Sequence, residues 1–283
     1  MAVSRVLVTG AAGRIGRAVL DALAGAGIAA HALVLEDPGD LDAEAVFTGS
    51  AADPSVVRAA LGGVDGVVHL AALATPDLGT PLEVFGGNVC ATFVVLDEAG
   101  RMGVPRAVIA SSFSITGLPF ASTLLHPAYL PVDISMPAQV EDPYGLSKQT
   151  DELTAAMVAR RYGIGVVAVR YPFVGGFDER LPRFAALVAE RPEIGARDMW
   201  SYLETRDAGR AALLALDIDI PGVQTVYVAA PRTLVPYPTA ALLDRFHPDV
   251  PRRIEFPGRT VPIDLAPARE LLGFTAAFEL ELD

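Results

Sequence analysis

Apolar residues follow two rhythms along this chain. Val6-Leu7-Val8 is a short continuous apolar run that stops at Thr9-Gly10, which predicts a buried strand. From Arg14 the spacing changes: Ile15, Val19, Leu20 and Leu23 recur at helical period, and Gly27 marks the helix end. The same succession repeats. Strands are predicted over Ala29–Leu35, Ala45–Thr48, Gly66–Leu70, Arg106–Ala110, Gly165–Arg170 and Gln224–Ala229. Long helices are predicted over Leu82–Met102 and Tyr144–Tyr162, and Asp53-Pro54 caps a short one. Strands alternating with helices predict an α/β fold: a Rossmann-type, doubly wound parallel sheet with right-handed crossovers. Residues 115–143, with prolines at 119, 127, 131, 137 and 143, read as a long irregular loop, a feature uncommon unless functional. Residues 173–206 and 233–283 fall outside the alternation. They are expected to form a small substrate lobe beside a core of residues 1–172 and 207–232.

The first strand–helix junction carries chemistry. Its glycines, Gly10, Gly13 and Gly16, follow a G-x-x-G-x-x-G spacing between strand and helix. Gly10 permits a tight turn, Gly13 lets backbone approach a pyrophosphate, and Gly16 allows close helix–strand packing. The helix N-terminus offers free N–H groups to the anion, so the unit predicts a dinucleotide site. Glu36 stands about 20 residues past the last glycine, where an acid can bind an adenosine ribose. The alternative for Glu36 is a solvated strand end. Small residues after the fourth strand, Ala71-Ala72-Leu73-Ala74, suit close approach of backbone to a ligand.

Composition narrows the partners. Net charge is −12, which disfavours nucleic acid and anionic membranes. The chain is 52% hydrophobic over 283 residues, ample for a sizeable core. A single cysteine, Cys90, excludes an internal disulfide and suits a reducing compartment. The first strand begins near Met1, leaving no room for a signal peptide, and no apolar run approaches about 18 residues. A cytoplasmic location is expected. Four scattered histidines give no metal-ligand spacing, so no metal is expected.

Tyr144 and Lys148 lie at i and i+4, on one face of the predicted helix. A nearby ammonium favours a phenolate, which equips a tyrosine for proton exchange with a hydroxyl or carbonyl. Ser112, at the carboxyl end of the fifth strand, is suited to orient the same oxygen.

These residues together resemble the extended short-chain dehydrogenase/reductases, the NAD-dependent epimerase/dehydratase family. The resemblance rests on Thr9–Gly16, His69-Leu70-Ala71-Ala72, Asn88-Val89, Ser111-Ser112, and Tyr144 with Lys148. It continues in Arg170-Tyr171-Pro172, Tyr202–Asp207 and Ala268–Phe274. It implies a bound nicotinamide dinucleotide and a Ser-Tyr-Lys triad; separately, the negative charge of Glu36 and Asp37 opposes a 2′-phosphate, so NAD is expected in preference to NADP. In that picture Tyr144 is the acid/base, Lys148 holds the nicotinamide ribose, and Ser112 binds the reacting oxygen. The cofactor would meet Gly10, Gly13, Arg14, Ile15, Gly16, Glu36, Ser50, Leu70, Ala71, Ala72, Asn88, Tyr171 and Pro172, besides Tyr144 and Lys148. The substrate would meet Ala74, Ser112, Phe113, Ser114, Tyr144, Phe173 and Trp200. The resemblance also implies a homodimer joined by the helices Leu82–Met102 and Tyr144–Tyr162.

The departures concern the substrate. Phe173 stands where relatives on nucleotide sugars carry Asn, and Met199-Trp200 where they carry Arg. Ser50 replaces an Asp. The Tyr-Gly-Leu-Ser-Lys and Ala-Ser-Ser stretches look like those of uronate dehydrogenases. Trp200 is either a packing residue or a pocket wall that suits a sugar face. Arg197, Arg206 and Arg210 are the cations available to a carboxylate or phosphate. The expectation is an NAD(P)-dependent oxidoreductase on a small polar substrate, a sugar or sugar acid. The alternatives are an epimerase/dehydratase and a non-catalytic dinucleotide sensor.

Overall fold

β1 (Arg5–Thr9) lies inside a parallel sheet covered on both faces, so Val6, Leu7 and Val8 are all fully buried without polar alternation. The computed structural model describes residues 3–282. After β1 come α1 (Arg14–Gly25), β2 (Ala29–Val34), β3 (Ala45–Thr48), α2 (Pro54–Ala60), β4 (Gly66–His69), α3 (Pro81–Arg101), β5 (Arg106–Ser112) and α4 (Pro143–Tyr162). β6 (Gly165–Tyr171), β7 (Phe173–Gly175), α5 (Leu181–Glu190), α6 (Pro192–Gly195) and β8 (Tyr202–Glu204) follow. The chain continues with α7 (Thr205–Asp217), β9 (Val223–Tyr227), α8 (Thr239–Phe246) and α9 (Ala266–Leu272).

The seven-stranded sheet has the order β3-β2-β1-β4-β5-β6-β9, every pairing parallel. This is the doubly wound Rossmann-type sheet that the alternation predicts. The chain reverses direction across the sheet between β1 and β4, which opens a crevice at their carboxyl ends. Thr9 pairs with Leu33 on one side and His69 on the other, so three strands end level there. β5 runs past the predicted Ala110 to Ser112, held by pairing of Ser111 with Arg170 and Ser112 with Tyr171. β2 stops at Val34, one residue earlier than predicted, and Leu35 is exposed. β7 and β8 form a separate parallel pair that the sequence did not signal, because three residues are too few to display a period.

Caps fix where the site helices begin. Asp53 accepts from Ser55 N–H at the head of α2. Thr80 and Glu83 form a reciprocal capping box on α3. Asp142 accepts from Gly145 N–H at 2.8 Å, with Pro143 in the first helical position, and this sets the start of α4 one residue before Tyr144.

α1 and α7 cover one face of the sheet; α2, α3 and α4 cover the other. A third apolar cluster gathers Phe113, Leu118 and Leu130 with Leu181, Trp200, Tyr202, Leu234 and Leu243. It joins the long loop after β5 to the C-terminal segments over the strand ends. α1 owes its position partly to α7, where a side chain at Gly209 would overlap the Ala18 carbonyl. Gly209→Ala is therefore expected to destabilise by about 1–3 kcal/mol through overpacking. Urea unfolding checks this: the midpoint falls with the slope unchanged. An unaltered midpoint would show that the helices can part there.

Candidate active site

The β1–α1 turn is built at minimum separation. Gly10 takes φ +66°, and a Cβ on it would lie 2.8 Å from the Ala71 amide nitrogen. A Cβ on Gly16 would overlap the Gly10 carbonyl and Ala11. Gly13 is the N-cap of α1 and donates its N–H to Gly10 O at 3.0 Å. The backbone thus leaves a cradle at a helix N-terminus, the geometry that a pyrophosphate requires. The turn fits a dinucleotide for that reason.

The cradle opens into a cavity of about 640 Å³. Gly10, Gly13, Arg14, Ile15 and Gly16 line it from the turn, and Leu70, Ala71, Ala72 and Ala74 from the end of β4. Ser112, Phe113 and Ser114 enter from β5, Tyr144 and Lys148 from α4, and Tyr171, Pro172 and Phe173 from β6 and β7. Ser112 Oγ donates to Ser114 Oγ at 3.1 Å and accepts from the Ser114 amide at 3.1 Å. Lys148 Nζ sits 5.8 Å from the centre of the Tyr144 ring. The ammonium is buried and donates to Asp151 Oδ2 at 3.1 Å. Burial acts against its charge, but Asp151 and Tyr144 outweigh that and hold Lys148 above the usual lysine range. Burial pushes the Tyr171 phenol up, and its hydroxyl donates to Ala208 O at 3.1 Å, so Tyr171 is a wall, not an acid.

The far end of the cavity carries Arg197, which the sequence offered as a cation for an anionic group, and Arg180 and Asp198, which it did not single out. Arg180 donates Nε to Val174 O at 2.9 Å and lies 4.2 Å over the Phe173 ring, which stacks on Phe184. Arg197 donates to Ala121 O at 2.6 Å and Thr123 O at 3.3 Å. Neither cation has a carboxylate partner among the bonds formed by the described residues. Asp198 is half-buried as a residue, yet its Oδ1 is inaccessible and unpartnered, and burial pushes its carboxyl up to about 8. Arg206 and Arg210 are engaged elsewhere: Arg206 with Glu204 and the Phe278 ring, Arg210 with Asp207. Arg14 pairs with Glu179 at the cavity edge. No local pattern would have found Arg180 or Asp198, since both reach the cavity through the tertiary path of the chain between β7 and β8.

Two sequence expectations, for Trp200 and Asn88, do not hold as made. Trp200 does not wall the cavity. Met199 and Trp200 both take left-handed backbone, φ 59° and 51°, which turns the indole into the third apolar cluster. There it is fully buried, donates Nε1–H to Pro192 O at 2.8 Å and packs against Phe246. Asn88 does not line the cavity either. Its amide binds Leu73 N–H and Leu73 O at 2.8 and 3.1 Å and Ser147 at 3.1 Å, fixing the loop after β4 from behind. Glu36 is exposed, two residues past β2, and lies outside the lining. Ser50 is likewise outside it, its hydroxyl accepting from Ala52 N–H at 3.1 Å.

Comparison with known proteins agrees with the geometry. The model of the NAD dependent epimerase/dehydratase family matches residues 6–223. A uronate dehydrogenase of Pseudomonas putida is 32% identical over 172 residues, 59% of this chain and 60% of that protein. An L-arabinose 1-dehydrogenase (NAD(P)(+)) of Haloferax volcanii is 30% identical over 62% of this chain and 69% of that protein. The chain thus matches about 60% of the length of the uronate dehydrogenases it resembles. Among solved structures, a short-chain dehydrogenase/reductase superfamily protein from Agrobacterium tumefaciens with bound NAD superposes with a TM-score of 0.70 at 25% identity. That alignment covers 97% of this chain and 93% of the other.

The Asp198 carboxyl yields a stability test. Its folded pKa lies above its unfolded one, so its contribution is full below the unfolded value and is lost as pH rises through about 8. Asp198→Asn is expected to raise the Tm by an increment that grows from about pH 4 to about pH 8 and then levels off. An increment independent of pH, in a thermal scan series, would contradict the shifted carboxyl.

Proposed function

Because the chain belongs to the NAD dependent epimerase/dehydratase family, we propose that it is a dehydrogenase moving a hydride between NAD and a hydroxyl-bearing or carbonyl carbon of a small sugar acid. The observation that carries this reading is the pair Arg180 and Arg197. Both line the cavity, and both bind backbone carbonyls, not carboxylates. Such cations at a substrate end favour an anionic ligand, and a guanidinium matches a carboxylate in shape and charge. Phe173 stacked on Phe184 adds an apolar wall beside them. This wall favours a sugar face over a nucleotide diphosphate, which is why the epimerase reading is the weaker one.

The nicotinamide supplies the hydride chemistry when bound. The residues of this chain do the rest. The glycine turn holds the pyrophosphate against the α1 N-terminus. Ser112 would orient the reacting oxygen, Tyr144 would exchange a proton with it, and the Lys148 ammonium, 5.8 Å from the centre of the Tyr144 ring, would hold the ribose. Glu36 and Asp37, exposed after β2, put negative charge where a 2′-phosphate would approach, which supports NAD over NADP. A homodimer through α3 and α4 belongs to the same reading. Leu82, Phe93, Leu146 and Leu153 leave apolar surface exposed on these helices. Light scattering checks the dimer, and a monomeric mass at micromolar concentration would remove it.

Assay of hexuronates, neutral aldoses and simple alcohols with NAD and NADP, following absorbance of the reduced cofactor, tests the activity. Turnover is expected with a hexuronate and NAD. Arg180→Ala should raise KM for the acid by about 10–100-fold, the worth of a hydrogen bond to a charged group. Tyr144→Phe should abolish turnover while NAD binding persists. Equal loss on acids and neutral aldoses in Arg180→Ala would show that the cation does not read the carboxylate.

A further inference from the structure

A buried run of polar side chains leads from the glycine turn to Lys148. Thr9 Oγ1 accepts from the Leu70 and Ala71 amides at 3.2 Å each, so its own proton is left for His69 Nδ1 at 2.7 Å. Nδ1 therefore accepts, and Nε2 carries the imidazole proton and donates to Thr92 Oγ1 at 3.1 Å. Burial pushes the Asp151 carboxyl up, while the Lys148 ammonium and then the Thr92 hydroxyl act against that rise and favour its ionised form. Asp151 Oδ1 itself is buried without a hydrogen-bond partner. Asp151 Oδ2 accepts from Lys148 Nζ. The Thr9 and His69 donors both point toward Thr92, and Asp151, next beyond it, is met by Lys148.

Lys148 sits between Tyr144, one turn earlier on α4, and Asp151, one turn later. Asp151 is 1% exposed and Lys148 4%. A pair this deep adds little net stability, because desolvation offsets the attraction. The arrangement therefore calls for a role other than holding the fold. We propose that Asp151 is a positioning residue of the reaction: its carboxylate keeps the Lys148 ammonium charged and aimed, and through it supports the Tyr144 phenolate. This inference rests on the acid–base role given to Tyr144 above.

The surroundings support it. His69, the other titratable group facing Lys148 across the run, is pushed down to about 3 by burial and by the ammonium. It stays neutral, as the donor order requires, and gives Lys148 no counter-charge. Glu152 on α4 is already engaged by Arg170, at 2.8 Å from both Nε and Nη2, and by Ser111 at 2.6 Å. Thr92, Asn88 and Ser147 are uncharged. Without the Asp151 charge, the buried ammonium keeps only the pull of Tyr144 and the weaker pull of Glu152 against its desolvation, and loses its proton more readily.

Asp151→Asn tests this with two readouts. In the oxidation direction, the acid limb of kcat/KM is expected to move to higher pH. Neutral-pH rates fall about tenfold or more, while the alkaline plateau stays within about threefold of native. Without cofactor, an absorbance titration of each protein against its Tyr144→Phe derivative isolates the phenolate, whose appearance should shift the same way. Thr92→Val keeps Asp151, removes the hydroxyl that favours its charge, and should move both readouts in the same direction by a smaller step. That variant also carries the test if Asp151→Asn does not fold. An unmoved phenolate transition, or a rate lowered equally at every pH, would reduce Asp151 to a packing role and overturn the inference. Near-native turnover in Tyr144→Phe would instead sink the acid–base role itself.

Discussion

The structure depends on one close approach. β1, the turn after it and the first turn of α1 meet without room for a methyl group at Gly10 or Gly16. That contact brings the α1 N-terminus to the crevice between β1 and β4, where the strand order reverses. It also lets the backbone after β4 pass against Gly10, so that Thr9 can bind the Leu70 and Ala71 amides. The cavity, its small-residue wall and the approach of α4 all follow from this geometry. A side chain at either glycine would push apart the parts that the rest of the site is hung on.

From there, polar order runs inward instead of dissipating in solvent. A parallel sheet covered on both faces has few places for buried polar groups, and this chain concentrates them at one edge of the crevice. Thr9, His69 and Thr92 form a run with an ordered donor direction, and the Asp151–Lys148 pair lies at its end. Ser111, Glu152 and Arg170 form a second cluster beside it. The two clusters flank α4 and leave Lys148 paired with Asp151 while Glu152 answers to Arg170. At the opposite end the polarity changes in character: Arg180, Arg197 and Asp198, whose carboxyl burial pushes up to about 8, face the space beyond Ser112. Under the proposed reading, the first end would take the cofactor on its backbone and the second an anionic substrate on its cations.

The fold was legible because periodicity is a local property. Val6–Val8, Val67-Val68 and Val166–Val169 are continuous apolar runs, and α1 carries its apolar stripe openly. The glycine turn and the Tyr144–Lys148 spacing were legible for the same reason, and both line one cavity. The substrate end was not. Trp200 is a large amphipathic side chain in a plausible segment, but two left-handed residues redirect it into the core, and composition does not encode that. Asn88 belongs to a recognisable motif, yet its amide acts on the Leu73 backbone behind the cavity wall. Arg180 and Asp198 reach the cavity through the path between β7 and β8, two strands too short to announce themselves.

The account turns on what occupies the space beyond Ser112. Calorimetric titration of the NAD-loaded Tyr144→Phe protein, which retains every binding group but the phenol, reads this directly. A hexuronate is predicted to bind with measurable heat, a neutral hexose more weakly, and UDP not detectably. Tight UDP binding with no heat from the hexuronate would contradict the sugar-acid account and favour a nucleotide-sugar enzyme.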